Sequence, residues 1–383
     1  MTTALDDSEV SANQLADALD RGDAPLVIVD VRAPGEVERW RVEGDREVPR
    51  IERPYWDLLG SPEIVAKEVP ADALAVVVCA HGNTSAILAE ELRAVGVDAR
   101  SLAEGMVGWA KLHIERPVLG GPEELYVVQL DRVSKGCLSY VIGVEDGPAL
   151  VVDPDRSYEV YTSVASRHGS EIVSVVDTHL HADHVSGAAD LAARTGAPYF
   201  LNDDHGAVLE HRRPADGETV FETGSLVARA VSLHSPGHTP GSMGVLVAGK
   251  FLLSGDTLFV EGVGRPDLGG EVEIWASDLH RTLTERLLSL DDDVVVLPAH
   301  YQSRSERNSD GVYAARLGDL RQRVEFTVAV EQFLADVVAN TRDAPEEYSR
   351  IRRVNLGLEN PQADVLDELE TGKNQCASGG AGA

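Results

Sequence analysis

Short apolar runs alternate with helix-spaced segments along the first third of the chain. Leu26–Val31 and Leu74–Val78 are almost wholly apolar and read as buried strands, and Val97–Leu102 is a third strand candidate. Ser11-Ala12-Asn13-Gln14 sets a hydroxyl three residues before a side-chain amide, a capping box that opens a helix running through Leu19. Thr84–Val95 has helical spacing and stops at Gly96. Strands that alternate with helices imply a parallel sheet covered on both faces.

From about residue 125 the pattern changes. Strand candidates are Leu125–Leu130, Ser139–Val144, Ala149–Val152, Ile172–Val176, Val227–Leu233, Gly244–Val247, Phe251–Ser254 and Val294–Leu297. Helical patterns fall at Val185–Arg194, Ile274–Ser289 and Val312–Asn340, which suggests sheets sandwiched between helices. His113–Glu124, with Pro117, Gly120, Gly121 and Pro122, reads as a joint. The expected division is residues 1–118, a linker at 119–124, a second domain over 125–370 and a tail at 371–383. The Gly- and Ala-rich stretch Ala377–Ala383 is expected to be disordered. The two halves share no internal repeat.

A chain of 383 residues is long enough for two domain cores, and 43% hydrophobic residues suit a globular protein. No apolar run reaches the length of a membrane span, and the polar, acidic start lacks the features of a signal peptide. Three widely spaced cysteines form no disulfide framework, so a reducing cytoplasm is the expected location. The formal net charge is -30, and the only lysines are Lys67, Lys111, Lys135, Lys250 and Lys373. Acidity spread along the whole chain suggests adaptation to a saline interior, where salt screens self-repulsion. An acidic face for a basic partner would need the charge concentrated. Nucleic acid is an unsuitable ligand for such a chain.

The densest chemistry lies in Thr178-His179-Leu180-His181-Ala182-Asp183-His184, just after the apolar run 172–176. Three imidazoles and a carboxylate so close together are costly to bury unless something satisfies them, and a transition metal does so. Further ligand-type residues follow: His238 in Ser235-Pro-Gly-His, Asp256 in Ser254-Gly-Asp-Thr257 and His300 in Leu297-Pro-Ala-His300. His179, Asp256 and His300 each sit just past an apolar run, where adjacent strand ends converge. A surface histidine run is the bland alternative. His168, His205, His211 and His280 lie in polar contexts and read as surface residues, and His234 as a packed strand-end residue.

This pattern resembles the metallo-β-lactamase superfamily over about residues 125–370, which implies an αββα sandwich with a metal site at one edge of the sheets. Two branches of it imply different chemistry. In the glyoxalase II branch, a dinuclear hydroxyacylglutathione hydrolase, His179, His181 and His238 would hold one ion, Asp183, His184 and His300 a second, and Asp256 would bridge two Zn(II). In the persulfide dioxygenase branch one Fe(II) per chain is held by His179, His238 and Asp256, leaving positions for O2 and substrate sulfur. His181, Asp183 and His184 then take hydrogen-bonding and proton-handling roles. Gly264-Arg265-Pro266-Asp267 resembles the dioxygenase signature: Arg265 would steer an anionic persulfide, and Asp267 would fix Arg265 or a ligand histidine. A surface turn with an Arg–Asp pair is the bland reading. After His300 that branch often has Asp-Tyr; here Tyr301-Gln302 follows, and Tyr301 is a weaker candidate for reaching the open positions.

Cys79 ends the run Leu74–Val78, and the loop Ala80-His81-Gly82-Asn83 leads into the Thr84 helix. Backbone N–H groups and a helix N-terminus at such a place stabilise thiolate. The loop, with Asp30-Val31-Arg32 and Glu104-Gly-Met-Val-Gly-Trp109, resembles a rhodanese domain over residues 8–118, which implies sulfane-sulfur transfer through Cys79. Loop arginines common in that family are replaced by Ala80 and Thr84, and Arg41–Tyr55 also departs from its pattern. An inert cysteine on a retained fold is the alternative. Cys137 reads as a small core residue and Cys376 as incidental.

The expectation is therefore an α/β protein: a rhodanese-like parallel sheet with helices on both faces, then an αββα sandwich. Its expected activity is persulfide dioxygenation coupled to sulfur transfer, on a small-molecule thiol persulfide or thiosulfate. The rivals are a dinuclear thioester hydrolase and a non-catalytic sulfur-sensing or scaffold protein. Members of the superfamily often dimerise, so a homodimer is a further expectation; no membrane or nucleic-acid partner is expected.

Overall fold

The computed structural model describes residues 8–203, 206–223, 229–370 and 372–376. They fall into two units: residues up to Leu112 with Arg132–Lys135, and His113–Asp131 with Gly136–Glu370 and the segment from Asn374.

The first unit contains β1 (Glu9–Val10), α1 (Ala12–Arg21), β2 (Leu26–Asp30), α2 (Pro34–Arg39), β3 (Arg50–Glu52), α3 (Glu63–Ala66), β4 (Leu74–Val78), α4 (Asn83–Ala94), β5 (Ala99–Leu102) and α5 (Gly105–Ala110). Its sheet runs β1-β5-β4-β2-β3, and every neighbouring pair is parallel, as the strand–helix alternation requires. Ser11 and Gln14 close the capping box that starts α1, at 3.2 Å and 2.9 Å. Val27, Val29, Ala75 and Val77 pack with Leu88 and Leu92 in one core.

The second unit contains β6 (Ile114–Pro117), β7 (Tyr126–Arg132), β8 (Cys137–Gly143), β9 (Pro148–Val152), α6 (Tyr158–Arg167), β10 (Glu171–Asp177), α7 (Ala188–Thr195), β11 (Tyr199–Leu201), β12 (Thr219–Glu222), β13 (Arg229–His234), β14 (Met243–Val247), β15 (Phe251–Gly255), α8 (Val272–Arg281), β16 (Val295–Pro298), β17 (Ala315–Arg316), α9 (Leu317–Leu320), α10 (Val324–Thr327), α11 (Val330–Ala339), α12 (Glu346–Asn355) and α13 (Ala363–Leu369). Two six-stranded sheets, β11-β10-β9-β8-β7-β6 and β12-β13-β14-β15-β16-β17, face each other. Strand alternation builds the layers. Leu150, Val152, Phe251 and Leu253 enter the core between the sheets. Ala149 and Val151 turn toward a second core shared with α6 and α7. Leu252 and Val296 turn toward a third, shared with α8 and α11. This is the expected αββα sandwich.

Three expected elements differ. Ile114–Pro117, read within the joint, is the edge strand β6 and pairs antiparallel with β7; its two exposed positions hid the pattern. The helical pattern over 312–340 is not one helix. Ala315 and Arg316 pair with β16, and α9, α10 and α11 follow as separate pieces. Leu317, Leu320, Phe326 and Phe333 still reach one core, so apolar spacing was met without helical continuity. The Ile274–Ser289 pattern ends its α-helix at Arg281, then continues through a π turn (Thr282–Arg286) and a 3₁₀ turn (Leu287–Ser289). His205, the first residues of the expected Val227–Leu233 strand and Ala377–Ala383 lie outside the described residues.

Candidate metal centre and cysteine loop

β13, β15 and β16 run in the same direction, so their C-terminal ends share one edge of the second sheet. His238, Asp256 and His300 follow those ends, and His179 and His181 follow the end of β10 in the facing sheet. His179, His238 and Asp256 come together with ligand atoms within 4.8 Å of one another, all buried. His238 Nε2 lies 3.4 Å and His179 Nε2 3.7 Å from Asp256 Oδ2. Donors bound at about 2.1 Å to one ion stand about 3.0–3.4 Å apart, close to this spacing.

The surroundings aim these atoms. His179 Nδ1 lies 3.0 Å from Thr178 Oγ1, which donates to Asp153 Oδ2 at 2.9 Å. The hydroxyl therefore accepts from Nδ1–H, and Nε2 keeps its lone pair. His238 Nδ1 donates to the Arg265 carbonyl at 3.0 Å, which frees its Nε2 in the same way. His179 Nε2 and Asp256 Oδ2 are buried without a hydrogen-bond partner. Orphaned buried atoms that converge are what a cation would satisfy. Burial, with neighbouring imidazoles, holds the His179 imidazole well below the ordinary histidine range, and burial lowers His238 too. Burial would raise Asp256, but the imidazoles of His300, His179 and His238 hold its carboxyl below the ordinary range. Two neutral imidazoles and a carboxylate suit a divalent first-row ion.

The second group of ligand-type residues is arranged otherwise. Asp183 Oδ2 meets His300 Nε2 at 3.0 Å, Asp183 Oδ1 meets His184 Nδ1 at 3.2 Å, and Asp256 Oδ1 meets His300 Nδ1 at 2.5 Å. Burial would lower His300 and His184, but the facing carboxylates outweigh it and hold both well above the ordinary range. Burial would also raise Asp183, yet these imidazoles hold it well down. These donors bond to one another. His181 stands between the two groups: its Nε2 reaches Asp153 Oδ1 at 3.1 Å, and its Nδ1 is buried without a partner.

Arg265 is buried, and its guanidinium is held by Asp267 at 2.5 and 2.7 Å and by the Arg342 carbonyl. Its backbone carbonyl holds His238, and its Nη1 is buried without a hydrogen-bond partner. Gly264 sits against the centre: a Cβ there would stand 1.9 Å from the Asp256 carbonyl, so this turn requires glycine. Tyr301 does not reach the centre. Its hydroxyl donates to Asp131 at 2.9 Å and its ring stacks on Tyr313, which corrects the expectation of a role at open positions. His234 donates away to Pro214, and His168, His211 and His280 have partners of their own outside the centre.

Sequence reasoning missed four residues. Asp153 follows β9 and could have been found by the same strand-end signal as Asp256. Asn355, on α12, donates to the carbonyls of His181 and His184 at 2.9 Å each and so pins the motif loop. Cys137 is buried at the start of β8, as expected of a small core residue, and also donates to Asp183 Oδ2 at 3.2 Å, which the sequence did not show. Cys376, read as incidental, is fully buried beside Asp256 and His300.

In the first unit Cys79 Sγ receives the backbone N–H groups of Gly82 at 3.1 Å and Ser85 at 3.3 Å, with the Ser85 hydroxyl at 3.1 Å. The sulfur thus sits at the N-terminus of α4, where donors and helix dipole favour an anion. Gly82 holds φ +88°, which closes the loop over the sulfur. Arg32 grips Asp30 through two bonds of 3.0 and 2.7 Å, and the pair is buried at the end of β2.

Residues 135–300 match the profile of the metallo-beta-lactamase superfamily, and residues 11–112 match that of the rhodanese-like domain. A hydroxyacylglutathione hydrolase of Cupriavidus metallidurans is 32% identical over 236 residues, 54% of this chain and 86% of that protein. A hydroxyacylglutathione hydrolase of Methylococcus capsulatus is 31% identical over 245 residues, 60% of this chain and 90% of that protein. Among solved structures, a metallo-beta-lactamase from Staphylococcus aureus superposes with a TM-score of 0.55 at 25% identity, covering 61% of this chain and 74% of that one. ETHE1 from Myxococcus xanthus gives 0.52 at 23% identity, covering 64% and 99%, a likeness of fold. No described helix is long and apolar enough to cross a membrane.

Proposed function

Since the chain belongs to the metallo-β-lactamase superfamily and carries a rhodanese-like domain ahead of that fold, we propose that it is a persulfide dioxygenase with a sulfurtransferase domain. The overall reaction is RSSH + O2 + H2O to RSH and sulfite, with a low-molecular-weight thiol persulfide as substrate. The observation that carries the reading is the contrast between the two ligand groups. His179 Nε2 and Asp256 Oδ2 are orphaned beside His238 Nε2, whereas Asp183, His184 and His300 satisfy one another.

We assign His179, His238 and Asp256 to one Fe(II). When bound, the ion would supply activation of O2 and of the substrate sulfur, because two imidazoles and one carboxylate leave coordination positions open. Thr178 and Asp153 fix the His179 tautomer, and the Arg265 carbonyl fixes that of His238. Asp267 holds Arg265, and His300 holds the second oxygen of Asp256. Cys79 exchanges sulfane sulfur: its thiolate displaces sulfite from thiosulfate and becomes a persulfide, which a thiol acceptor removes. Joining both activities in one chain raises the local concentration of a reactive sulfur carrier.

One observation favours a second reading. Asp183, His184 and His300 lie with Cys137 within 4.8 Å of one another, and His181 Nδ1 is a buried nitrogen without a hydrogen-bond partner, so a dinuclear thioester hydrolase is the rival. Anaerobic purification in high salt followed by metal counting and O2 uptake with a persulfide separates them. About one iron per chain with persulfide-dependent O2 loss is expected. Two metals per chain with thioester cleavage in protein indifferent to air would overturn the reading.

A further inference from the structure

The loop 178–187 between β10 and α7 is neither helix nor strand, so its buried backbone groups need partners from elsewhere. Two side chains from the C-terminal helices supply them. Asn355, the last residue of α12 and 7% exposed, donates through Nδ2 to the carbonyls of His181 and His184 at 2.9 Å each. Its Oδ1 accepts from the Ser186 N–H at 2.9 Å. Glu370 Oε1 accepts from the Val185 N–H at 3.2 Å, and Arg156 holds the other oxygen of that carboxylate. Only an amide fits the first place, because two carbonyls need donors and one N–H needs an acceptor. Asp183 lies between the two carbonyls that Asn355 holds, so the amide sets where the backbone of Asp183 stands.

From Asp183 the bonds run on to the candidate trio. Asp183 Oδ2 meets His300 Nε2 at 3.0 Å, and His300 Nδ1 meets Asp256 Oδ1 at 2.5 Å. With that oxygen engaged, Asp256 presents Oδ2, the atom without a hydrogen-bond partner, toward His238 Nε2 at 3.4 Å. Asp183, His300 and Asp256 are all buried, so each keeps the partner within its reach. We propose that Asn355 is a positioning residue of the candidate metal centre: it fixes the loop and Asp183, and through His300 it sets which oxygen of Asp256 faces the ligand site. The proposal rests on the single-ion reading, in which Asp183 and His300 support a ligand rather than bind a second ion. Asn355→Asp keeps the shape and an acceptor for the Ser186 N–H, and removes both N–H donors. The charge it adds would by itself attract a cation more strongly, so weaker binding is the mark of lost positioning.

The full chain, metal-free, is titrated with Co(II) against a chelator, and the visible absorption of Co(II) reports its ligand geometry. Wild-type protein should take up one Co(II). Asn355→Asp should bind it about 2–30-fold more weakly, with an altered spectrum. In a His300→Gln background the same substitution should add little further loss, because the link it acts through is already cut. Unchanged affinity in folded Asn355→Asp, or an equal loss in both backgrounds, overturns the proposal and leaves the single-ion reading standing. Two Co(II) per wild-type chain overturns that reading, and the relay with it. Linkage supplies a test that needs no variant, since a loop that supports binding must in turn be held by it. Co(II) should slow amide hydrogen exchange at Val185 and Ser186 in wild-type protein. Exchange there that is indifferent to Co(II) overturns the proposal even where the variants misfold.

Discussion

Thr178→Val tests the aiming of His179. Valine keeps the shape of threonine and removes the hydroxyl, which accepts from His179 Nδ1 at 3.0 Å and donates to Asp153 Oδ2 at 2.9 Å. Thr178 is 1% exposed, so water cannot substitute for either bond. Each buried polar group left without its partner costs about 1–3 kcal/mol, and the added methyl recovers about 0.8 kcal/mol. The metal-free protein should lose about 1–5 kcal/mol, which for a domain of this size lowers Tm by about 2–20 °C. Metal affinity should fall independently of this, because Nδ1–H no longer has an acceptor to hold the ring with Nε2 facing Asp256. Losing such a partner costs about 10–100-fold in affinity. Chelator competition measures that fall, and calorimetry of the metal-free protein measures the stability change. Thr178→Ser, which keeps the hydroxyl, should recover most of the affinity. Unchanged affinity in the valine variant would refute the assignment of Thr178 as the group that sets the His179 tautomer.

Other perturbations separate the parts of the molecule. Asp256→Ala should leave the protein without bound metal by elemental analysis and without activity in that half, since two imidazoles alone hold iron poorly; retained metal counts against the assignment. Cys79→Ser should abolish sulfur transfer from thiosulfate to a thiol acceptor, while O2 uptake with added persulfide persists; equal loss of both would show that the two activities are not separable. Lowering salt from molar to millimolar should lower the melting temperature, because a net charge of -30 is screened over about 3 Å at 1 M but over about 30 Å at 0.01 M. Melting that does not respond to salt would dismiss the saline adaptation.

What could be read from the chain was local. Apolar runs gave the strands, Ser11 and Gln14 gave a helix start, and the residues after β10, β15 and β16 gave the ligand types. Cys79 was legible because the strand, the loop with Gly82 and the helix are contiguous in sequence. Tertiary structure alone decided what each polar atom does. Tyr301 follows His300 directly, yet its hydroxyl reaches Asp131 across the sheets. Cys137, Asn355 and Cys376 enter the centre from far along the chain, and nothing in their neighbours in sequence marks them. The same holds for the choice between the two ligand groups. The residue types alone determine which atoms can bind a cation. Only the packed neighbours, Thr178, Asp153 and the Arg265 carbonyl on one side and Asp183 on the other, fix which lone pairs remain free, because a buried donor or acceptor takes the partner that folding sets within its reach.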